Sequence, residues 1–346
     1  MNPDPNSLLT TRAPGFTAGQ AAEIARKNFG IDATASPLWS ERDQNFRMLC
    51  HSGEQFVLKI ANRKESPQVI DFQTRALEHI AQADPAIPVP HTLPSGDGKD
   101  YCWIADDRGR EHMVRLITWL DGEVIEATEV SGALLHQAGG MLARLGLALE
   151  DFRHPAAGHH LIWDLKNAAE LLDLLPYIDD TELRGLLEKG IMRFKLNVVP
   201  DLGRLRSQII HADLNRGNML VNEDGTDICG IIDFGDMVHT PLIMDLAIAA
   251  AYHLSDEGDP LGKAVHFIRG YHEVCPLEAI ETRHLLDLMI ARICTSITVQ
   301  LWRAKLYPDN AEYLLVDNDQ SQEILTHIMS FSPEETSARI MELCRG

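Results

Sequence analysis

Two short polar clusters, each placed directly after an apolar run, carry the residue types that phosphoryl transfer requires. The first is His211-x-Asp213 with Asn218 five residues after the aspartate, and the second is Asp233, 15 residues further on. Phosphate transfer from a nucleotide needs a carboxylate that orients the attacking hydroxyl. It also needs carboxylate and amide oxygens that hold magnesium against the phosphates. We therefore predict Asp213 as the catalytic residue and Asn218 and Asp233 as the metal ligands.

The spacing of these residues decides how specific the pattern is. His-x-Asp alone is common, whereas His-x-Asp-x4-Asn followed by an aspartate after an apolar strand is typical of kinase catalytic loops. The alternative is a buried polar turn between two strands of an ordinary domain. Asp245 opens an apolar helix and is predicted to be structural. It is either a favourable charge at a helix N-terminus or a brace for the loop at His211.

The elements that would bind a nucleotide lie upstream. After residue 17 the chain reads as a helix, three antiparallel strands and a second helix over residues 67–83. Lys59 lies late in the third strand, in Val-Leu-Lys-Ile, where kinases place a phosphate-binding lysine. The alternative is an edge lysine whose stem covers apolar surface. Gln73 on the following helix stands where a kinase has the lysine's glutamate partner, and it brings a hydrogen-bond acceptor without charge.

The loop over residues 40–45 is expected to cover the phosphates. It contains no glycine, so its contacts would come from the side chains of Ser40, Gln44 and Asn45 and from backbone amides. The alternative is a solvated turn. The base of the nucleotide would lie in a hinge and bond backbone groups of Thr118–Leu120, with Thr118 and Leu120 as candidate contacts.

The spacing of apolar residues changes near residue 121. Strand patterns dominate before it, and helical spacing dominates after it, over residues 131–145, 163–175, 181–198, 277–302 and 332–343. These patterns predict an α+β fold with a boundary between two lobes near residue 121. We expect a flexible arm at residues 1–16 and a small N-lobe of sheet and helix at residues 17–120. The larger, mostly helical C-lobe would span residues 121–346 and contain the catalytic strands.

Composition bounds the partners. The 346 residues carry a formal net charge of -20, which argues against a nucleic-acid surface or an anionic membrane as partner. The six cysteines are scattered without a metal-binding spacing, as is usual for free thiols in a reducing compartment. The first 16 residues lack the apolar run of a secretory signal. A cytoplasmic location is therefore expected, and nothing in the sequence indicates an oligomeric state.

Two features favour a small phosphate acceptor over a peptide. Ala212 stands where regulated kinases carry an arginine that reads a phosphorylated activation loop. Only nine residues lie between Gly235 and Asp245, which leaves no room for a segment that docks a peptide. The site should therefore work without a phosphorylation switch.

These motifs resemble those of the aminoglycoside phosphotransferase and choline kinase superfamily. Residues 211–218 are similar to its catalytic loop, and residues 232–236 with 245–247 are similar to its metal motif. The hydroxylysine kinase branch is the most similar part of it, through residues 43–46, 57–60, 162–167, 233–237 and 306–308. The resemblance implies a bilobal, protein-kinase-like fold, Mg2+, and ATP or GTP as phosphate donor. Gln73 departs from the glutamate of the wider superfamily, although this branch shares a glutamine there.

The resemblance also suggests an acceptor, with 5-hydroxylysine expected first and homoserine, an aminoglycoside, or choline or ethanolamine as alternatives. A non-enzymatic alternative is an inactive nucleotide-binding scaffold. Hydroxylysine requires anions for two ammonium groups and a cation for one carboxylate. Asp236, Asp164 and Trp163 are candidates for the amines, and Arg292 is the candidate for the carboxylate. The alternatives are a core position for Trp163 and a helix cap for Asp164.

Overall fold

The computed structural model describes residues 11–40, 42–125, 130–308, 315 and 318–344. The chain divides into an N-terminal unit of residues 1–121 with 154–157 and a C-terminal unit of residues 122–153 with 158–346. The first ten residues of the predicted arm lie outside the described residues, as does Glu41 of the predicted phosphate loop. The predicted fold class is confirmed, because an antiparallel sheet with helices forms the first unit and helices dominate the second.

The N-terminal unit is built on an antiparallel sheet with strand order β1-β2-β3-β6-β4, and β5 also pairs with β6. Alternating residues of the central strands, such as Phe46, Leu58 and Leu116, are buried against α1. Burying one face in this way fixes the register. The elements are α1 (Ala18–Phe29), β1 (Ala33–Leu38), β2 (Gln44–Cys50), β3 (Gln55–Ile60), α2 (Pro67–Ala83), β4 (Thr92–Leu93), β5 (Cys102–Ala105) and β6 (Glu111–Thr118).

The strand register places three polar residues in one row. Asn45 on β2 pairs with Lys59 on β3, and Lys59 pairs with Arg115 on β6. Paired residues on neighbouring strands point to the same face of a sheet. The helix α2 lies against this face, since Arg115 Nη2 donates a hydrogen bond to Gln73 Oε1 at 2.7 Å.

The C-terminal unit consists of helices with two small antiparallel sheets, β10-β9-β7 and β11-β8. Its regular elements are β7 (Glu123–Val124), α3 (Gly132–Ala148), α4 (Thr181–Arg193), β8 (Ser207–Ile210), β9 (Met219–Val221), β10 (Ile228–Ile231), β11 (Val238–Pro241), α5 (Ile243–Ala251), α6 (Ala264–Val274), α7 (Ala279–Leu306), α8 (Asn318–Ile328) and α9 (Pro333–Leu343).

Two segments with helical spacing differ from regular α-helices. The first forms a 3-10 helix at Leu165–Asp173, capped by Asp164, whose side chain accepts a hydrogen bond from the Lys166 amide. The second is α4, which continues into a π-helical turn at Phe194–Val198. Apolar spacing reports the buried face of a helix but does not distinguish these tighter and wider windings.

The helix α7 forms the centre of the C-terminal unit. It is long and apolar enough to span a membrane by length and composition, but 83% of its apolar window is buried inside the protein. Its buried charges have partners: Asp287 accepts hydrogen bonds from Arg193 and Asn197, and Glu281 accepts from Arg206. A helix with these pairings is a core helix, because a buried charge is tolerated only when it is paired.

The helices α3 and α6 cross in close backbone contact at two glycines, which leads to a prediction about stability. A Cβ atom on Gly139 would collide with the Phe267 carbonyl oxygen, and one on Gly270 would collide with the His136 carbonyl oxygen. Backbone atoms cannot rotate away, so Gly139→Ala or Gly270→Ala should each lower the free energy of unfolding by at least about 2 kcal/mol.

The matched control for this crossing is Gly185→Ala on α4, where the added methyl group meets nothing within 4 Å. That change should stabilise the protein by up to about 1 kcal/mol, the helix-propensity difference between the two residues. Urea unfolding of the three variants measures both effects. Equal effects at the three positions would contradict the close approach of the two helices.

Candidate active site

The two predicted polar clusters are joined through the backbone of Ile232. Its amide donates to the Asn218 carbonyl oxygen at 3.0 Å, and its carbonyl oxygen lies 3.1 Å from His211 Nε2. The Asp213 amide donates to His211 Nδ1 at 3.2 Å. Nδ1 therefore carries no proton, and Nε2–H donates a hydrogen bond to the Ile232 carbonyl oxygen. His211 is thus neutral, with its proton on Nε2. These contacts bring Asn218 next to Asp233 in space.

Asp213 is held by three side chains. Its Oδ2 accepts hydrogen bonds from Asn215 Nδ2 and Asn218 Nδ2, both at 3.0 Å. Its Oδ1 accepts one from Arg292 Nη2 at 2.8 Å. The carboxylate keeps some exposure, with a side-chain accessibility of 20%. A carboxylate that is fixed in this way and still reachable suits a residue that orients a hydroxyl group.

The electrostatics of the site favour a bound cation. Burial raises the pKa of Asp213 to about 7; the Arg292 guanidinium opposes this rise, and the carboxylates of Asp236 and Asp233 add to it. Burial also lowers the pKa of His211, which keeps the imidazole neutral. The carboxylates of Asp233 and Asp236 thus lie near enough to Asp213 to disfavour its ionised form. Additional positive charge would stabilise all three in their ionised form.

The donor set fits magnesium. Asn218 Nδ2 donates to two Asp213 oxygens, the backbone carbonyl at 2.8 Å and Oδ2 at 3.0 Å. Because both partners are acceptors, the amide nitrogen must face them, which leaves the amide oxygen for a metal ion. Asp233 adds a carboxylate, and hard cations such as Mg2+ prefer these oxygen ligands. Among the described residues, no group of three His, Cys, Asp or Glu side chains forms another metal site.

Asp233 reaches its position through a strained backbone. It has φ = 58°, in the left-handed region, and the 3-10 turn Phe234–Asp236 follows it. The ring of Phe234 packs edge-on against His211, with centroids 4.7 Å apart. A turn of this kind costs energy for residues other than glycine and occurs most often at functional sites.

Asp245 binds the backbone of the catalytic loop. Its Oδ1 accepts from the Ala212 amide at 2.9 Å, and its Oδ2 accepts from the His211 amide at 3.3 Å. This is the bracing arrangement considered from the sequence. It satisfies two buried donors and supports Ala212, whose φ of 65° is also left-handed.

Asp245→Asn should lower the free energy of unfolding by about 1–3 kcal/mol, because an amide nitrogen would face a buried backbone N–H. Burial raises the pKa of Asp245 to about 7, so the native state holds this proton more tightly than the unfolded chain does. The associated stability is present at low pH and is lost as the pH rises through about 7. The advantage of wild type over the variant should therefore shrink between pH 5 and pH 8 in urea unfolding.

Asp180→Asn is the matched control for this experiment. Asp180 is exposed and also accepts two backbone amides, those of Glu182 and Leu183, but it uses a single oxygen for both. Asparagine keeps that oxygen and caps helices about as well as aspartate, so the change should be below about 0.5 kcal/mol. A pH-independent difference between wild type and Asp245→Asn would contradict the assigned protonation.

Among the residues predicted to bind nucleotide, Gln44 has a different role. Its side-chain nitrogen Nε2 donates a hydrogen bond to the Phe16 carbonyl oxygen, and its Oε1 accepts one from the Phe16 amide, both at 2.8 Å. Gln44 therefore anchors the entry to α1, and its assignment to the phosphates is corrected. Ser40 follows β1 beside position 41, and its role stays a prediction. Asn45 lies next to Lys59, and its buried Oδ1 accepts no hydrogen bond from the described residues.

Gln73 and Thr118 are also used inside the N-terminal unit. Gln73 is buried and its Oε1 accepts a hydrogen bond from Arg115 Nη2; its assignment beside Lys59 and the nucleotide stays a prediction. The Thr118 amide donates to the His91 carbonyl oxygen, and the Thr118 hydroxyl accepts from the His91 amide, each at 2.9 Å. These contacts engage the Thr118 amide and hydroxyl, and the assignments of Thr118 and Leu120 to the base of the nucleotide stay predictions.

Arg292 lies directly against the carboxylate of Asp213, the predicted catalytic residue. It is 4% exposed, and its Nη2 donates to Asp213 Oδ1 and, at 2.6 Å, to the Tyr252 hydroxyl. Its Cζ lies 5.3 Å from the Trp163 ring centroid and 5.5 Å from that of Tyr252. The guanidinium is thus stacked between two aromatic rings, an arrangement that suits its planar charge. The Trp163 ring thus contacts the Arg292 guanidinium, and its assignment to an amine of the acceptor stays a prediction.

Asp164 is structural. Its Oδ1 caps the following 3-10 helix and accepts from the Thr240 hydroxyl at 2.8 Å, and its Oδ2 lies 2.8 Å from Lys166 Nζ. A buried carboxylate with these partners has no charge left for an acceptor ammonium. Its assignment to the acceptor is corrected in favour of the helix cap. Asp236, in the turn after Asp233, keeps its assignment as a prediction.

The structure adds Tyr252, Asn215 and Arg115 to the residues around the site. Asn215 lies two residues after Asp213 in the same loop, so its contact with Asp213 could have been predicted from the sequence. Tyr252 and Arg115 act through contacts distant in sequence, 40 and 42 residues from their partners. Only the packing of the elements reveals such pairs.

Comparisons with known proteins identify the family of the chain. The phosphotransferase enzyme family matches residues 34–279. Hydroxylysine kinase of Mus musculus is 30% identical over 327 residues, which cover 88% of this chain and 86% of the relative. Homoserine kinase of Cupriavidus necator is 27% identical over 298 residues, covering 83% of each chain.

Solved structures show the same fold. An amicoumacin kinase in complex with AMP-PNP, Ca2+ and Ami superposes with a TM-score of 0.70 at 18% identity, over 92% of this chain and 97% of the other. Spectinomycin phosphotransferase, in complex with ADP and its antibiotic, superposes with a TM-score of 0.56 at 15% identity, over 95% and 99%. With the family match and the site described above, these findings lead to one conclusion: the chain belongs to the phosphotransferase enzyme family and is a kinase that acts on an alcohol group.

Proposed function

We propose that this enzyme transfers the γ-phosphate of ATP or GTP, with Mg2+, to the hydroxyl group of 5-hydroxylysine. The observation that carries the proposal is the hydrogen-bonded network of Asp213 and Asn218 beside Asp233. The acceptor is supported by relatives named hydroxylysine kinase, four of which match 88–94% of this chain at 27–30% identity.

The residues of the chain divide the work. Asp213 orients the acceptor hydroxyl and takes up its proton, and its two oxygens are fixed by Asn218 and Arg292. Asn218 and Asp233 would hold the metal ion, which supplies charge that neutralises the phosphates. Lys59 would neutralise the nucleotide phosphates from the N-terminal unit, and Asp236 would bind an acceptor ammonium. The gain in rate comes mainly from positioning and charge stabilisation.

Homoserine is the second candidate acceptor. Relatives named homoserine kinase match up to 83% of this chain at up to 27% identity, somewhat less than the hydroxylysine kinases do. Both acceptors are hydroxylated amino acids, whereas choline, ethanolamine and aminoglycosides lack a carboxylate. We also propose a cytoplasmic location and no nucleic-acid or membrane partner, on the acidic composition of the chain.

A screen of acceptors tests the function. We expect nucleotide-dependent phosphorylation of 5-hydroxylysine with kcat/KM at least about tenfold above homoserine, choline, ethanolamine and kanamycin, since a mismatched acceptor leaves buried polar groups unpaired. The assay is run with ATP and with GTP, with and without Mg2+. A preference for homoserine would make homoserine the acceptor in place of 5-hydroxylysine. Phosphate transfer to none of these compounds would overturn the proposed function.

A further inference from the structure

Arg292 has donor groups that the protein does not use. A guanidinium carries five N–H donors, and Nη2 directs its two at Asp213 and Tyr252. Nε and Nη1 are buried and find no acceptor among the described residues. The indole Nε1 of Trp163, whose ring stacks on the guanidinium, is a second buried donor that has no acceptor in this part of the chain.

Such a cluster points to a ligand with acceptor oxygens. Buried N–H groups are almost always hydrogen-bonded in proteins, and leaving them unpaired is costly. Here two adjacent side chains present four such hydrogens, three on Arg292 and one on Trp163, and the one acceptor on the neighbouring aromatic side chains, the Tyr252 hydroxyl, is already bonded to Nη2. A ligand that brings a carboxylate or a phosphate would satisfy them, and the positive charge of Arg292 favours an anion.

The position of Arg292 on Asp213 distinguishes the acceptor from the nucleotide. Asp213 Oδ2 is bonded by Asn218, the predicted metal ligand, which marks the oxygen on the metal and phosphate side. Arg292 is bonded to the other oxygen, Oδ1. The unused donors therefore lie across the catalytic carboxylate from the predicted metal ligand, and the oxygens that they take should belong to the acceptor.

We propose that Arg292 and Trp163 form the subsite for the carboxylate of the acceptor, and that Arg292 is at the same time the positioning residue of Asp213. The inference rests on the proposed kinase function and narrows its acceptor to hydroxylated amino acids. One guanidinium then contacts the acceptor and the residue that orients its hydroxyl. The span from Asp213 to an oxygen held on Nη1 is one guanidinium and two hydrogen bonds, on the order of 7 Å, which suits a hydroxyl several carbons from the carboxylate.

Two acceptors that differ only in the carboxylate test the subsite. We measure kcat/KM for 5-hydroxylysine and for 1,5-diaminopentan-2-ol, its decarboxylated analogue. Wild type should prefer hydroxylysine by about 100-fold or more, as expected for losing a charged partner of a buried group. Equal kcat/KM values would overturn the subsite.

Variants separate binding of the carboxylate from positioning of Asp213. Arg292→Lys should raise KM for hydroxylysine, leave KM for the diamine unchanged, and lower kcat for both acceptors because Asp213 loses its planar partner. Trp163→Phe keeps a smaller aromatic face against the guanidinium and removes the indole N–H, so it should raise mainly the KM for hydroxylysine, by several-fold. Arg283→Lys, an exposed position on the same helix, is the control and should change neither. If Arg292→Lys raised the KM of the nucleotide instead, the donors would serve the phosphates and the proposal would be wrong.

A binding experiment keeps the inference testable if no acceptor is phosphorylated, an outcome that would overturn the proposed function. Calorimetric titration with L-lysine and with cadaverine, in the presence of Mg2+ and AMP-PNP, compares the same carboxylate difference without turnover. Binding of lysine that is at least tenfold tighter, and that is lost in Arg292→Lys, would support the subsite. Equal binding of the two, or no binding of either, would overturn it.

Discussion

Asp213→Asn is expected to lower kcat by about 10²–10⁴-fold, the usual contribution of a positioned proton acceptor. The variant keeps the shape of the side chain but loses the charge that receives the hydroxyl proton. It also places an amide group between the Nη2 donor of Arg292 and the amide donors of Asn215 and Asn218, so one donor contact must be lost. Affinity for the nucleotide should change by less than about threefold, since no nucleotide contact is removed.

Steady-state kinetics and nucleotide binding on the same preparation measure both quantities. Asp224→Asn is the matched control, because Asp224 is exposed in the turn between β9 and β10 and makes the same chemical change. That variant should retain the wild-type kcat. Wild-type turnover in Asp213→Asn would show that another residue accepts the proton, and the catalytic assignment would be wrong.

Asp233→Asn should lower kcat/KM by at least about 100-fold at a fixed Mg2+ concentration, because charge supplied by a bound metal stabilises the transition state by several kcal/mol. Asparagine tolerates the left-handed conformation of this residue better than most residues do, so the turn should keep its shape. The loss is therefore attributable to the removed charge. Part of the activity should return at high Mg2+.

Asp236→Asn provides the comparison, because it removes an equal charge from the same short turn. Asp236 is assigned to the acceptor, so this variant should raise the KM of the acceptor and leave the Mg2+ concentration for half-maximal activity unchanged. Titration of Mg2+ in steady-state assays separates the two variants. An unchanged Mg2+ requirement in Asp233→Asn would remove that residue from the metal site.

Local sequence patterns predicted the strands, the helices and the turns that carry Asp213 and Asp233, because each depends on neighbouring residues. The row formed by Asn45, Lys59 and Arg115 follows from strand register, and register was accessible through the alternation of buried residues. The sequence could also indicate that Asp164 caps a helix, since caps are local. Its charge nevertheless suggested a role in binding, and only the contact with Thr240 decides between the two.

Other parts of the site depend on contacts between distant elements, which one sequence does not encode in any short pattern. Gln44 was predicted to bind phosphate because it lies in a polar stretch, but its amide pairs with Phe16, 28 residues away. Arg292 was singled out as a charge in an apolar helix, and its contact with Asp213 spans 79 residues. Residue type and burial indicated that these side chains matter, whereas the fold determined what they contact.

Ala212 and Asp233 are the two residues other than glycine with positive φ in the described part of the chain. Ala212 directly precedes Asp213, and Asp233 is itself a predicted metal ligand. Their side chains differ completely, but the torsion angle limits both positions in the same way. Glycine and asparagine fit this angle, while valine, isoleucine and threonine are excluded by their branched Cβ. The backbone conformation of Ala212 therefore limits which residues can replace it, whatever their chemical reactivity. The narrow range of replacements that this enzyme can accept there is set by its fold and not by its substrate.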